Sequence, residues 1–357
     1  MISSESIKIQ LCEDDALWNA KVSAAPDGWL SHMSQWRDTL EASFPHIKCI
    51  PLLIENSGDH VTTLPLYRIS SIIGGTRYVS VPFSSISYIL CGSPEQFMAL
   101  ADYFNKIREE KNKRISIEIR SNVPHALFEK SGLFNSSQNY LHHFLDLEKD
   151  SDAIYNSFHE TAVKQPIKKS EKSGLLLRRA NQLSEVKDFY TLYCLTRKRQ
   201  GLPPMPLVFL ENLFSNFFAK GALEIYFADF ERKAVAGLVL LKYRDMVLVE
   251  FAGDDFVHRK LFPNHFLYWN CIKLAHKEGF KKFSFGRTYH LNDSLLQFKR
   301  RWGTQEGWMH DYRYPKTSAQ DNPKENSFAY RFFRHVSPLL PMPLFQVMGN
   351  IIYRYLD

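Results

Sequence analysis

FSFGRTYHLNDSLLQFKRRWG, residues 283–303, is the stretch on which the reading of this chain turns. It opens as a short apolar strand. A turn is expected at Gly286-Arg287, and a helix is expected to begin near Ser294. On that helix Leu295, Phe298, Lys299 and Trp302 fall at i, i+3, i+4 and i+7, the spacing of one buried face. Lys299 therefore stands where an apolar side chain is expected. Taking an ammonium out of water is costly, so a lysine at such a place either snorkels outward or is kept inside for a purpose.

Outward from this stretch the chain reads as alternating helices and strands. Residues 31–45 predict a helix capped by Ser31. Residues 47–55 and 60–73 predict two strands joined by the turn Asn56-Ser57-Gly58-Asp59. Residues 77–90 are β-rich with Pro82 at a bulge or edge, 94–111 read as a helix, and 114–120 alternate like a strand. The second half runs through a strand at 175–180, a helix at 183–200 stopped by Gly201, and a helix at 207–220. A hairpin over 222–230 and 234–243, a strand at 247–253, a helix from a cap at Asn264 to Glu278, and a strand at 282–286 complete it.

The two halves repeat one order. HVTTLPLYRI (60–69) sits where AVAGLVLLKY (234–243) sits, and ALADYFNKIREEKNKRISIEIRS (99–121) parallels LYWNCIKLAHKEGFKKFSFGRT (267–288). Each of the longer pair is a helix, a basic turn, and a strand ending in arginine. Matching order along the chain is the mark of a duplication. The prediction is an α+β protein of two like mixed-sheet domains, 1–150 and 151–315, meeting at a polar break near 148–152 and followed by a tail, 316–357.

With 357 residues the chain has ample length for two cores, and its composition is that of a globular protein. The five cysteines, at 12, 49, 91, 194 and 271, show no CxxC pairing, which argues against a disulfide frame or zinc site. The histidines lack HExxH spacing and no GxSxG elbow is present, so neither a metal site nor a serine hydrolase is expected. Residues 1–11 lack the apolar core of a signal peptide, and no run approaches the ~18 apolar residues of a membrane span. A cytoplasmic location is expected. The net charge of +7 suits an anionic partner: a phosphate-bearing small molecule, nucleic acid or a lipid surface.

The phrases TRKRQGLPPMP (196–206), LFPNHFLYW (261–269), FSFGR (283–287) and QFKRRWG (297–303) together resemble the FemAB-like branch of the GNAT-fold transferases, most clearly over 155–313. The resemblance implies two tandem GNAT-like domains with a cleft between or beside them. Founding members attach amino acids from aminoacyl-tRNA to peptidoglycan precursors, and shorter relatives accompany exopolysaccharide systems. Carried over to this chain, the FK pair makes Phe298 a pocket residue and Lys299 the group that stabilises the oxyanion. The TxxRxG pattern falls on Thr196, Arg199 and Gly201, and Tyr243 ends a strand in the region where relatives contact the acceptor. Arg197, Asn264, Arg287 and Trp302 complete the candidate substrate-binding set.

Two departures from the family matter. Nothing matches the long helical hairpin of the founding members, since 151–174 is too short and carries Pro166, so no tRNA contact through such an arm is expected. The loop DDFVHRKLFPN (254–264) has no glycine after Gly253, unlike the glycine-rich pyrophosphate cradles of acetyl-CoA enzymes. His258, Arg259 and Lys260 could meet phosphate there by side chain. Lys164, Lys168, Lys169, Lys172, Arg178 and Arg179 form a basic run that is either a solvated face or a guide for an anionic donor. The tail segment carrying Phe345, Met348, Ile352 and Tyr355 either packs on the second domain or docks on a membrane interface with help from Arg331, Arg334 and Arg354. The function expected is acyl or aminoacyl transfer to an amine of a cell-envelope or exopolysaccharide precursor. The donor would be aminoacyl-tRNA, acyl-CoA or an acyl-carrier protein, with no tightly bound cofactor. The alternative is a non-catalytic module that binds an anionic ligand on the same fold.

Overall fold

The computed structural model describes residues 7–55, 61–71, 75–110, 115–317 and 336–353. The expected turn at 56–59, and Arg331, Arg334, Arg354 and Tyr355 of the tail, lie outside them. The first half runs β1 (Lys8–Leu11), α1 (Asp15–Ala24), α2 (Ser34–Ser43), β2 (Ile47–Glu55), β3 (Val61–Ser71), β4 (Gly75–Val79), α3 (Pro94–Glu110), β5 (Ser116–Ser121), α4 (Ala126–Lys130), β6 (Asn135–Ser137) and β7 (Tyr140–Asp146). The second runs α5 (Ser151–Asn156), α6 (Gln165–Glu171), β8 (Leu176–Arg179), α7 (Val186–Gln200), α8 (Leu207–Phe217), β9 (Leu223–Phe230), β10 (Lys233–Tyr243) and β11 (Met246–Asp254). It continues through α9 (Pro263–Lys277), β12 (Lys282–Tyr289), α10 (Asp293–Arg300), β13 (Gln305–Trp308), β14 (His310–Tyr314) and α11 (Met342–Ile352).

These strands form two sheets with one topology. Their orders are β1-β2-β3-β4-β5-β14-β6 and β8-β9-β10-β11-β12-β7-β13. Place for place the fourth and fifth strands are the parallel pair, β4 with β5 and β11 with β12. A parallel pair needs a crossover, and α3 and α9 supply it at matching positions. The predicted duplication is therefore real. One feature of it is invisible in the local pattern: the sixth place in each sheet is filled by a strand from the other half, β14 in the first and β7 in the second. Two compact units result, one built on residues 7–139 and 308–317, the other on 140–307 and 336–353.

Each sheet buries its own apolar cluster. In the first unit Leu52, Leu66, Phe104, Ile117, Phe128 and Tyr312 are central, and in the second Leu238, Val247, Leu267, Phe283 and Trp302. Helix α7 closes tightly on β11, because a Cβ on Gly253 would stand 2.5 Å from the Tyr193 amide nitrogen. Only glycine allows this approach. Helix α11 lays Phe345 and Gly349 against the second unit, where Gly349 reaches the backbone of Pro204 and Gln346 Nε2 sits 3.7 Å from Cys194 Sγ.

Several local expectations are corrected. Ser31 does not cap a helix; it lies in a 3-10 turn with its hydroxyl on the Ile86 carbonyl at 2.9 Å, and α2 begins after Met33. Asn264 is the second residue of α9, behind Pro263 at the first position, and Phe262 is the cap. Gly286-Arg287 is not a turn. Strand β12 continues to Tyr289, and Gly286, at φ 70°, sits in a bulge where the register to β7 shifts. Leu296, rather than Leu295, is the leucine fully buried on α10.

Candidate active site

The candidate site of the second unit begins where two strands part. β11 and β12 pair only at Met246 with Lys282, Val247 with Phe283 and Leu248 with Ser284. Beyond that point β11 runs on to Asp254 and β12 to Tyr289 with no ladder between them. Backbone groups left this way must find other partners or face a ligand.

The first unit has the same fork and closes it. β4 and β5 pair at Arg77 with Ser116, Tyr78 with Ile117 and Val79 with Glu118. The chain after β4 is then laid along β5: Arg120 N donates to Ser80 Oγ at 3.0 Å, Ser87 Oγ to Arg120 O at 3.0 Å, and Asn122 N to Ser87 O at 2.7 Å. Trp36 Nε1 pins this segment through the Pro82 carbonyl at 3.3 Å. Among the described residues, no segment is laid along the fork between β11 and β12 as 80–87 is along β5.

Lys299 stands at that fork. Helix α10 begins at the Asn292 cap, whose side chain accepts from Leu295 N, and turns Leu296 and Lys299 inward, with Trp302 buried just beyond its end. Lys299 is only 4% exposed. Its Nζ donates to the Gly286 carbonyl at 2.9 Å and the Arg287 carbonyl at 3.1 Å, both on β12 beyond its ladder with β11. An ammonium has three N–H donors, so these two bonds leave one for a further acceptor. Burial pulls the lysine down from its usual 10.5 to about 7.

Two histidines, an ion pair, a ring cluster and Arg287 surround it. His142 on β7 contacts Ser284 Oγ at 2.7 Å, and burial together with the Lys299 charge lowers it to about 3. His143 is lowered to about 4 for the same two reasons, with the Glu306 carboxylate 3.4 Å from its Nδ1. Glu306 is itself held by Arg300 at 2.6 Å. Phe298 is half-buried between the rings of His265, at 5.9 Å, and Tyr268, at 5.8 Å. Trp302 is wholly buried and stacks on His265 at 5.7 Å. Arg287 is half-buried with its guanidinium 4.8 Å from the Tyr140 ring centroid.

The other candidates gather at the end of α7. Thr196 is buried, accepts the Asp254 amide at 2.8 Å and donates to the Asp254 carboxylate at 3.0 Å. Arg199 meets the same carboxylate at 2.8 Å and lies 4.8 Å from the Phe256 ring centroid. Arg197 donates from Nε to the Pro203 carbonyl at 3.0 Å. These bonds tie the α7 terminus to the end of β11, and Asp254 is the residue that the sequence alone did not single out. Tyr243 is half-buried beside Arg244, at the hairpin end of β10.

In the 254–264 loop, Asp255 N, Val257 N, His258 N and Phe262 N all donate within the fold, and Pro263 has no N–H. Those four amides are engaged, and the loop lacks the glycines of an acetyl-CoA cradle, although the first-turn amides of α9 at Asn264 and His265 follow it. The basic run is also partly neutralised. Arg178 pairs with Glu185 and Asp229, Arg179 with Glu224 and Lys164 with Glu160, while Lys168, Lys169 and Lys172 are exposed, Lys169 with its Nζ 5.8 Å from the Phe262 ring centroid.

The buried ammonium makes a signed prediction. Below pH 7 Lys299 is charged in both folded and unfolded chains, so the whole burial penalty applies. Between 7 and 10.5 the unfolded chain binds the extra proton, and stability rises with pH. Lys299→Met should therefore be more stable than the parent below pH 7, and the gap should shrink steadily towards pH 10.5. Chemical denaturation at a series of pH values measures this, and a pH-independent gap would refute it.

Residues 157–300 match the family described as the acetyltransferase (GNAT) domain. A curated relative, the UDP-N-acetylmuramoylpentapeptide-lysine N(6)-alanyltransferase of Weissella viridescens, is 25% identical over 169 residues, covering 47% of each chain. The match thus spans about half the length of that relative. The crystal structure titled FemX superposes with a TM-score of 0.69 at 15% identity, over 87% of this chain and 97% of that one. A tandem GNAT protein from the clavulanic acid biosynthesis pathway superposes at 0.56 and 11% identity, over 88% of this chain and 100% of that one. No helix among the described residues is long and apolar enough to cross a membrane. The second half of the chain thus carries a GNAT domain, its two units share the fold of FemX and of the tandem GNAT protein, and in sequence it resembles a Fem-type transferase.

Proposed function

We propose that this protein transfers an acyl or aminoacyl group to an amine of a cell-envelope or exopolysaccharide precursor, at the fork between β11 and β12. The observation that carries the proposal is the desolvated Lys299 ammonium with one N–H still to give. The acceptor amine attacks the carbonyl carbon of an activated ester or thioester, and the carbonyl π pair moves onto oxygen. Lys299 stabilises that oxyanion. The tetrahedral centre then collapses, the bond to the leaving oxygen or sulfur breaks, and the leaving group takes up the proton lost by the amine. Such chemistry needs a pre-positioned positive donor more than an enzyme nucleophile, and a donor in a dry site acts more strongly than one in water.

Aminoacyl-tRNA is the donor we favour over acyl-CoA or an acyl-carrier protein. The glycine-free loop before α9 counts against a pyrophosphate cradle, and the Fem-type relative is named as an alanyltransferase acting on the lysine of UDP-N-acetylmuramoylpentapeptide. Arg197 and Arg199 are proposed to meet the anionic part of the substrates, with Phe298, Arg287 and Asn264 shaping the walls and the wholly buried Trp302 backing Phe298, whereas Tyr243 pairs with Met246 at the ladder end away from the fork and is set aside. Purified protein should transfer label from charged tRNA and not from acyl-CoA, and Lys299→Met should lower turnover by ~10²–10³. Lys299→Arg should also be impaired, because a planar fork does not reproduce a point charge. Binding of an anionic ligand without any turnover would favour the non-catalytic module instead.

We also place the protein on the cytoplasmic side and against the inner membrane surface. Helix α11 is free of charge and turns Leu344, Val347 and Ile351 outward, at 54%, 52% and 49% exposure, with Leu339 before it at 83%. A partly wetted apolar stripe on a basic protein suits an anionic bilayer. Vesicles containing phosphatidylglycerol should sediment the parent protein and not a variant with all three helix residues replaced by Gln. Equal sedimentation of the two would sink this placement.

A further inference from the structure

The two forks occupy the same place in two like sheets, yet at two of the first three positions an ion pair in one is replaced by small residues in the other. Counting from the last ladder pair, Ser284 of β12 corresponds to Glu118 of β5, Phe285 to Ile119, and Gly286 to Arg120. In the first unit Arg120 Nε pairs with Glu118 at 2.6 Å, and the register to β14 runs through these residues without a break. In the second unit Ser284 pairs with Phe144 and Gly286 with His143, leaving Phe285 as the extra residue of a bulge.

A hydroxyl fixes that bulge. Gly286 N donates to Ser284 Oγ at 3.0 Å, and Ser284 Oγ is 2.7 Å from His142 Nε2. Ser284 is fully buried and His142 nearly so. The carbonyls of Gly286 and Arg287, which follow directly, are the two that receive Lys299 Nζ. We infer that Ser284, oriented by His142, is a positioning residue for the transfer reaction: it holds the β12 bulge that aims two carbonyls, and through them the Lys299 ammonium, at the fork.

The inference rests on the transferase reading for its rate effects and on geometry alone for the placement of Lys299. Ser284 is not itself the nucleophile, since its hydroxyl is sealed from solvent and His142 is far too weak a base to activate it. The charged and titratable groups near the cluster are His143 on β7, Lys282 on β12, Lys299 and Arg300 on α10, and Glu306 on β13.

The test uses the full chain and three variants. Ser284→Ala should lower kcat by about 10- to 100-fold at nearly constant KM, the scale of an ångström-level misplacement. His142→Phe should do the same, and Ser284→Thr, which keeps the hydroxyl, should recover most of the rate. Independently of turnover, the Lys299 ε-carbon resonance in 13C-lysine-labelled protein should shift in Ser284→Ala and His142→Phe, and its titration midpoint should move. An unchanged resonance and midpoint in folded variants would overturn the positioning role, as would full activity without the hydroxyl. A parent protein inactive with every donor, whose resonance still moves on substitution, would count against the transferase reading while supporting the positioning one.

Discussion

A charge kept out of water has to be held by something, and the second unit is arranged around that requirement. The Lys299 ammonium is desolvated, and the carbonyls of Gly286 and Arg287 offset part of the cost. Those carbonyls point correctly because β12 bulges at Phe285 and because Gly286 takes a left-handed backbone that suits glycine. Helix α10 holds the lysine at the right depth because Leu296 and Trp302 are buried around it. Removing any of these supports would let the side chain swing towards water, its default location.

The same topology ends in two different forks in one chain. In the first unit the Ser80–Ser87 region occupies the edge of β5 and a Glu118–Arg120 pair fills the corner, so the fork is structural. In the second unit a serine and a glycine replace that ion pair, the strands part, and a lysine from α10 enters. The exchange of β7 and β14 between the sheets joins the two halves covalently and by pairing, so neither sheet is completed by its own half of the chain.

Much of this was legible because the signals were local. A lysine in an apolar stripe marked a side chain that the fold does bury, Gly201 marked the end of α7 with its left-handed backbone, and the repeated helix–strand order disclosed the duplication. What failed depended on partners far along the chain. Gly286 reads as a turn until the register to β7 shows it to be a bulge, and β7 is about 140 residues away in sequence. Asn264 has the chemistry of a cap, but Pro263 takes the first helical position and moves the cap to Phe262. Asp254 became visible only when β11 placed it beside Thr196 and Arg199. Strand exchange leaves no mark in hydrophobic periodicity, since a strand alternates in the same way whichever sheet receives it.

The most direct measurement is the titration of Lys299 itself, followed by carbon-detected NMR on protein labelled at the lysine ε-carbon and assigned by comparison with Lys299→Met. A desolvated ammonium held by two carbonyls should titrate near pH 7, well apart from the bulk of the lysines. A Lys299 resonance that titrates with the others near 10.5 would show a solvated side chain and contradict the account.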